Sequence, residues 1–110
     1  MDFNHYQQHS KRTQPPKGND EDITNYALGL IGEAAEVSEM IKKWRYHGHS
    51  LDRFKIAEEL GDVLHYLAGL CTMMELNLEV VAEMNVDKLY RRYPEGFDED
   101  KSRKRVDPNG

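Results

Sequence analysis

Cysteine is almost missing from this chain: Cys71 stands alone among 110 residues. An internal disulfide is therefore excluded, and nothing points to an oxidising compartment. Cys71 falls inside an apolar helical run, where a free thiol behaves as a small buried hydrophobe. Long apolar runs are missing too. No stretch approaches the roughly 20 residues that span a bilayer. The residues from Met1 to Gln14 are polar and lack the apolar core of a secretory signal. Alternating apolar and polar residues, the mark of a half-buried strand, occur nowhere, nor does any low-complexity segment. Positive charge is not in excess, since the formal net charge is -5. That balance gives no global attraction to nucleic acid or to an anionic membrane. What remains is a cytoplasmic all-α protein of one domain. A helical chain this short buries a modest core and often completes it by association.

The helices follow from periodicity and punctuation. Residues 2–13 offer a short helix with Phe3 and Tyr6 on one face. Pro15, Pro16 and Gly18 break it. Asp20, Asp22 or Thr24 can cap a second helix running from about Ile23 to Tyr46. Its apolar stripe is Ala27, Leu30, Ala34, Val37, Ile41 and Trp44, and Gly48 is its stop signal. Asp52 can cap a third helix reaching about Glu75, with the stripe Ile56, Leu60, Val63, Leu67, Leu70 and Met74. Asn77 marks a tight connection. A fourth helix runs from about Leu78 to Arg92 and is stopped by Pro94 and Gly96. The heptad-like spacing favours an antiparallel bundle. One domain over residues 1–97, with its core at 20–97, precedes a polar tail at 98–110. That tail carries a basic cluster of Lys101, Arg103, Lys104 and Arg105.

The two long helices carry the same acidic pattern in the same register. Glu33 and Glu36 are three apart on one, Glu59 and Asp62 on the other. Residues three apart share a helix face. Each pair lies on the same flank of its stripe, so two antiparallel helices bring both pairs to a common groove. Four convergent carboxylates repel unless a cation neutralises them. Magnesium suits such a set, because it takes hard oxygen ligands and leaves positions for substrate phosphates. Glycine inside a helix costs roughly 1 kcal/mol against alanine. Gly32 and Gly61, beside the acids, therefore read as places of close approach, with Gly29 and Gly69 as further candidates. Solvated helix acids would produce a single such pair by chance; the duplicated register is less ordinary.

A phosphate substrate also needs cations and donors. Asn85, Lys88 and Arg92 share one face of the fourth helix, and Lys55 stands one turn before Glu59. Arg92 can offer its bidentate fork to phosphate oxygens. Glu36 or the neighbouring Glu58 can take a proton from water. Tyr93, Phe97 and Trp44 are candidates for stacking on a base, although Trp44 continues the core stripe and reads first as packing. His47 and His49 flank Gly48 in a loop. His65 lies near the site or at an interface, and none of the three shows zinc spacing.

Three blocks together resemble the MazG-like nucleotide pyrophosphohydrolases. They are Gly32-Glu33-Ala34-Ala35-Glu36-Val37, then Glu58-Glu59-Leu60-Gly61-Asp62-Val63, then Lys88-Leu89-Tyr90-Arg91-Arg92-Tyr93-Pro94-Glu95-Gly96-Phe97. The resemblance runs from about Asp20 to Phe97. It implies an all-α enzyme, a homodimer or dimer of dimers, that hydrolyses an NTP or dNTP to the monophosphate and pyrophosphate. It implies Mg2+, with Mn2+ as a substitute, held by Glu33, Glu36, Glu59 and Asp62. It places Lys55, Lys88 and Arg92 on phosphates; Asn85, by its place on that face, orients a carboxylate or touches the nucleotide, and Tyr93 is a candidate to stack on the base. The family's fuller E-E-x-x-E pattern has Gly32 at its first position here, which leaves the number of metals open. The tail after Phe97 either closes over substrate or stays disordered. The reading that competes with catalysis is a helical module that binds nucleotide or protein through the same surface.

Overall fold

Side-chain caps set where each of the first four helices begins. Asp2 accepts from the His5 backbone N–H at 2.8 Å and opens α1, Phe3–Lys11. Asn19 and Asp22 exchange bonds in a capping box that opens α2, Asp20–Tyr46. Asp52 caps α3, Arg53–Met73, and Asn77 caps α4, Leu78–Arg92. These satisfy N–H groups that a helix start otherwise leaves without partners. The structure is a computed structural model and describes residues 1–15 and 18–104.

The expected helices are all present, with shifted ends. The cap of α2 is Asn19 rather than Asp20, Asp22 or Thr24, because Asp22 is the residue that completes the box. Helix α3 stops two residues before Glu75, which takes a left-handed φ of 59° in the turn to α4. A short α5, Glu99–Lys104, forms in the tail, where no helix was expected. Arg103 pairs there with Glu99 and Asp100. Arg105 and the rest of the basic tail lie outside the described residues. Among those described there is no strand.

Helices α2 and α3 form a long antiparallel pair, and two tyrosines set their register. The Tyr26 ring lies over Gly69, where an added Cβ would sit 2.3 Å from the ring. The Tyr66 ring lies over Gly29 in the same way, at 2.4 Å. Each helix thus gives one ring and receives one, and the rings meet edge to face at 5.0 Å between centroids. Gly32 and Gly61 have nothing within 4 Å of an added Cβ. The expected close approach is therefore absent at those two glycines and occurs at Gly29 and Gly69.

This interlock rotates the seam away from the heptad stripes. Leu60 is 51% exposed and Trp44 44%, and Ile41, Leu67 and Met74 are exposed as well. Trp44 is thus not core packing within this subunit. The buried core is small: Ala68, Cys71 and Leu78, with Tyr6 and Val81 packed against them. Helix α1 closes that core over α3 and α4, and it is held largely by polar groups. Gln7 Nε2 donates to Thr72 Oγ1 and to the Leu76 carbonyl, and its Oε1 accepts from the Leu78 N–H at 2.8 Å. Gln7 thereby clamps both sides of the α3–α4 turn.

The two glycine classes behave oppositely when enlarged. Gly29→Ala and Gly69→Ala each drive a Cβ into a ring and should cost about 1–3 kcal/mol. Gly32→Ala and Gly61→Ala add helix propensity in open space and should gain about 0.5–1 kcal/mol. Urea denaturation of the four variants checks the contrast.

Candidate active site

The α2–α3 register that stacks rings on glycines runs on into the acids. With Tyr26 opposite Gly69 and Gly29 opposite Tyr66, the next helical turn sets Glu33 opposite Asp62 and Glu36 opposite Glu59. One carboxylate oxygen from each of Glu33, Glu59 and Asp62 lies within 4.8 Å of the other two. Glu36 faces Glu59 across the pair, and Glu59 is the largest influence on its proton affinity.

The proton affinity of the cluster follows from this crowding. Burial is the largest influence on Glu33 and pushes its carboxyl up to about 7. The Glu59 carboxyl and the charges of Glu36 and Asp62 push the same way. Glu36 is also raised, first by the Glu59 carboxyl and its charge, then by burial. Glu33 opposes the shift in part. The charges that raise Glu33 and Glu36 are those of neighbouring carboxylates. Glu33 Oε2 is buried without a hydrogen-bond partner. Oxygens around one magnesium ion, at 2.0–2.1 Å from it, are about 3–4 Å from one another. The three clustered oxygens need only close slightly to match, so the donor set fits a divalent cation.

The other candidates sit on α3 and α4. Glu58 is exposed and outside the cluster. Lys55 is exposed in the first turn of α3. Lys88 and Arg92 are half-buried on α4, with Asn85 exposed on the same face. Helix α4 packs on α1 and on α3, where Leu78 and Val81 meet Ala68 and Cys71. Tyr93 and Phe97 stand together, their ring centroids 5.7 Å apart.

His65 was expected near the site or at an interface, and its partners there escaped the sequence reading. His65, one turn after Asp62, bonds through Nδ1 to Ser10 Oγ at 2.6 Å and through Nε2 to Tyr26 OH at 3.4 Å. Tyr6 lies nearby, its hydroxyl raised chiefly by burial, lowered in part by Ser10 and raised further by the charge of Asp62. Ser10, His65 and Tyr26 thus link three helices behind the carboxylates. Only folding brings residues so distant in sequence together, and no spacing could have revealed them.

Residues 21–97 match the MazG nucleotide pyrophosphohydrolase domain family. The chain belongs to that family. The MazG match spans all four acids and begins after α1. A dCTP pyrophosphatase 1 from Homo sapiens is 33% identical over 96 residues, covering 78% of this chain and 55% of that protein. The Gene 37 protein of Mycobacterium phage L5 is 31% identical over 80 residues, covering 69% of this chain and 70% of its own length. No solved structure matches significantly. The expected all-α MazG-like fold is therefore borne out, with nucleotide pyrophosphohydrolase as its enzyme class. Among the described residues, no helix is long and apolar enough to cross a membrane.

The raised Glu33 carboxyl has a stability consequence. It titrates at about 7 when folded and near the ordinary 4.5 when unfolded. Between those values the folded chain holds more protons, so stability falls as pH rises through the window and the loss is complete above about 7. A divalent cation counters the loss. Mn2+ or Mg2+ should raise the thermal midpoint more at about pH 8 than at about pH 5.5, and Glu33→Gln should flatten both dependences. Equal metal-induced shifts at the two pH values would contradict the account.

Proposed function

We propose that this chain hydrolyses a nucleoside or deoxynucleoside triphosphate between its α and β phosphates, releasing the monophosphate and pyrophosphate. The observation that carries the proposal is the four-acid cluster, register-matched across α2 and α3 and surrounded by its own negative charge. Glu33, Glu36, Glu59 and Asp62 would hold magnesium, with manganese as a substitute. A bound magnesium ion supplies positive charge for phosphate oxygens and lowers the pKa of water.

The chain's own residues do the rest. Glu36 takes the proton of the attacking water as its oxygen adds to the α-phosphorus. The α-phosphorus then loses its bond to the bridging oxygen, and pyrophosphate leaves. The proton affinity of Glu36 is raised by its neighbour Glu59, the direction a base requires. Glu58, exposed and outside the cluster, is the less suited of the two candidate bases. Lys55, Lys88 and Arg92 offset charge gathering on the phosphates, the dominant demand of phosphoryl transfer. Asn85 and Tyr93 flank that basic face and would touch the nucleotide.

The assembly we propose is a homo-oligomer, a dimer or a dimer of dimers. The exposed stripe residues Leu60 and Leu67 favour the same assembly. The name of the human relative makes dCTP the first substrate to try. A cytoplasmic place of action suits the lone buried thiol of Cys71.

Pyrophosphate release from a panel of nucleotides with magnesium tests the proposal. Glu59→Gln and Asp62→Asn should each lower turnover by about a hundredfold or more while the helical circular dichroism stays intact. Nucleotide binding without pyrophosphate release would favour the non-catalytic module instead.

A further inference from the structure

The subunit is too open for its mass. A compact 12.8 kDa chain exposes about 6,300 Å² by the usual scaling, whereas this one exposes 8518 Å². Its radius of gyration is 16.9 Å, against about 13 Å for a compact domain of this length. The excess, on the order of 2,000 Å², is comparable to what a stable two-subunit interface buries.

Two exposed surfaces of this chain have opposite character. One is the tip of the α2–α3 hairpin. Between residues 41 and 55 there are five lysines and arginines and one acid, Asp52, in a chain whose net charge is -5. All residues from 41 to 50 are exposed. Trp44, Tyr46 and Phe54 stand out among those cations, Phe54 at 75% exposure. A cationic tip with aromatic anchors has the composition of a docking element.

The other surface is a groove along α4. Neighbouring hollows of about 370, 280 and 440 Å³ adjoin one another there. The first two share Phe3 and Glu79, and the last two share Val86. The floor is apolar, and Tyr90 beside it is 69% exposed. Asp2, Glu79, Glu83 and Asp87 rim the α1 end. No lysine or arginine falls between residues 79 and 87.

We infer that the occupant of this acid-rimmed groove is the basic, aromatic hairpin tip of a second copy of the chain. Trp44 and Phe54 enter the apolar floor, while Lys43 and Arg45 meet Glu83 and Asp87. If a two-fold axis relates the copies, each gives a tip and receives one, and the contact closes without leaving a free end. The inference shares with the proposed function the expectation of self-association together with Lys55 and Tyr93, and the variants that test it alter neither residue. Oligomeric state therefore tests it, and turnover does not.

Sedimentation of the full chain distinguishes the possibilities. The wild type should sediment as an oligomer whose affinity falls as salt rises. Glu83→Lys/Asp87→Lys reverses the groove, and Lys43→Glu/Arg45→Glu reverses the tip. Each double variant alone should weaken association by tenfold or more. An equimolar mixture of the two should restore it, because every tip then meets a groove of opposite sign. That rescue also shows both variants to be folded. A monomeric wild type would overturn the inference. So would an oligomer indifferent to both reversals, or two weakened variants that fail to rescue each other. Tip-dependent binding of a monomeric protein to vesicles rich in anionic lipid would reassign the tip to a membrane surface.

Discussion

The reciprocal seating of two tyrosine rings on two glycines is the contact on which the geometry of this molecule depends. An antiparallel helix pair held only by apolar stripes can slide by a turn with modest loss. A ring that occupies the place of a missing Cβ cannot slide, because the next residue along has a side chain in its way. With Tyr26 fixed on Gly69 and Tyr66 on Gly29, the positions one turn further are fixed as well. Those positions are acidic, and they repel one another. A favourable packing contact therefore holds an unfavourable electrostatic one in place, a common relation between scaffold and functional site.

The rest of the subunit supports this pair at low cost in apolar burial. The buried cluster of Ala68, Cys71 and Leu78 is small, and polar bonds do much of the joining. Gln7 fastens α1 to the α3–α4 turn, and His65 fastens α1 to both long helices through Ser10 and Tyr26. Such groups hold specific geometry better than they supply net free energy, since each bond replaces one to water. The exposed stripe residues Leu60, Leu67 and Trp44 leave apolar surface for other contacts.

Much of this was legible in the sequence. Four helices, their breaks, the cap at Asp52 and the tight connection at Asn77 follow from local chemistry, which acts within a few residues. The pairing of Glu33 and Glu36 with Glu59 and Asp62 was legible because one register repeats across two helices. The seam itself was not. Apolar periodicity marks the stripes at Leu60 and Trp44, and the helices instead meet where Tyr26 and Tyr66 face glycines. Gly32 and Gly61 misled for a related reason: a helical glycine shows that a side chain is missing, not what fills the space. The cap at Asn19 and the helix α5 turned on single side-chain bonds, which composition alone does not decide.

The ring-on-glycine exchange also constrains how the two long helices change over generations. Each ring needs the empty space opposite it, so neither member of a pair can be replaced freely on its own. A bulkier residue at 69 is tolerable only once the ring at 26 has given way, and positions 29 and 66 are bound in the same manner. The two helices are thus obliged to drift as partners. The carboxylates one turn away thereby receive their spacing from contacts they do not themselves make.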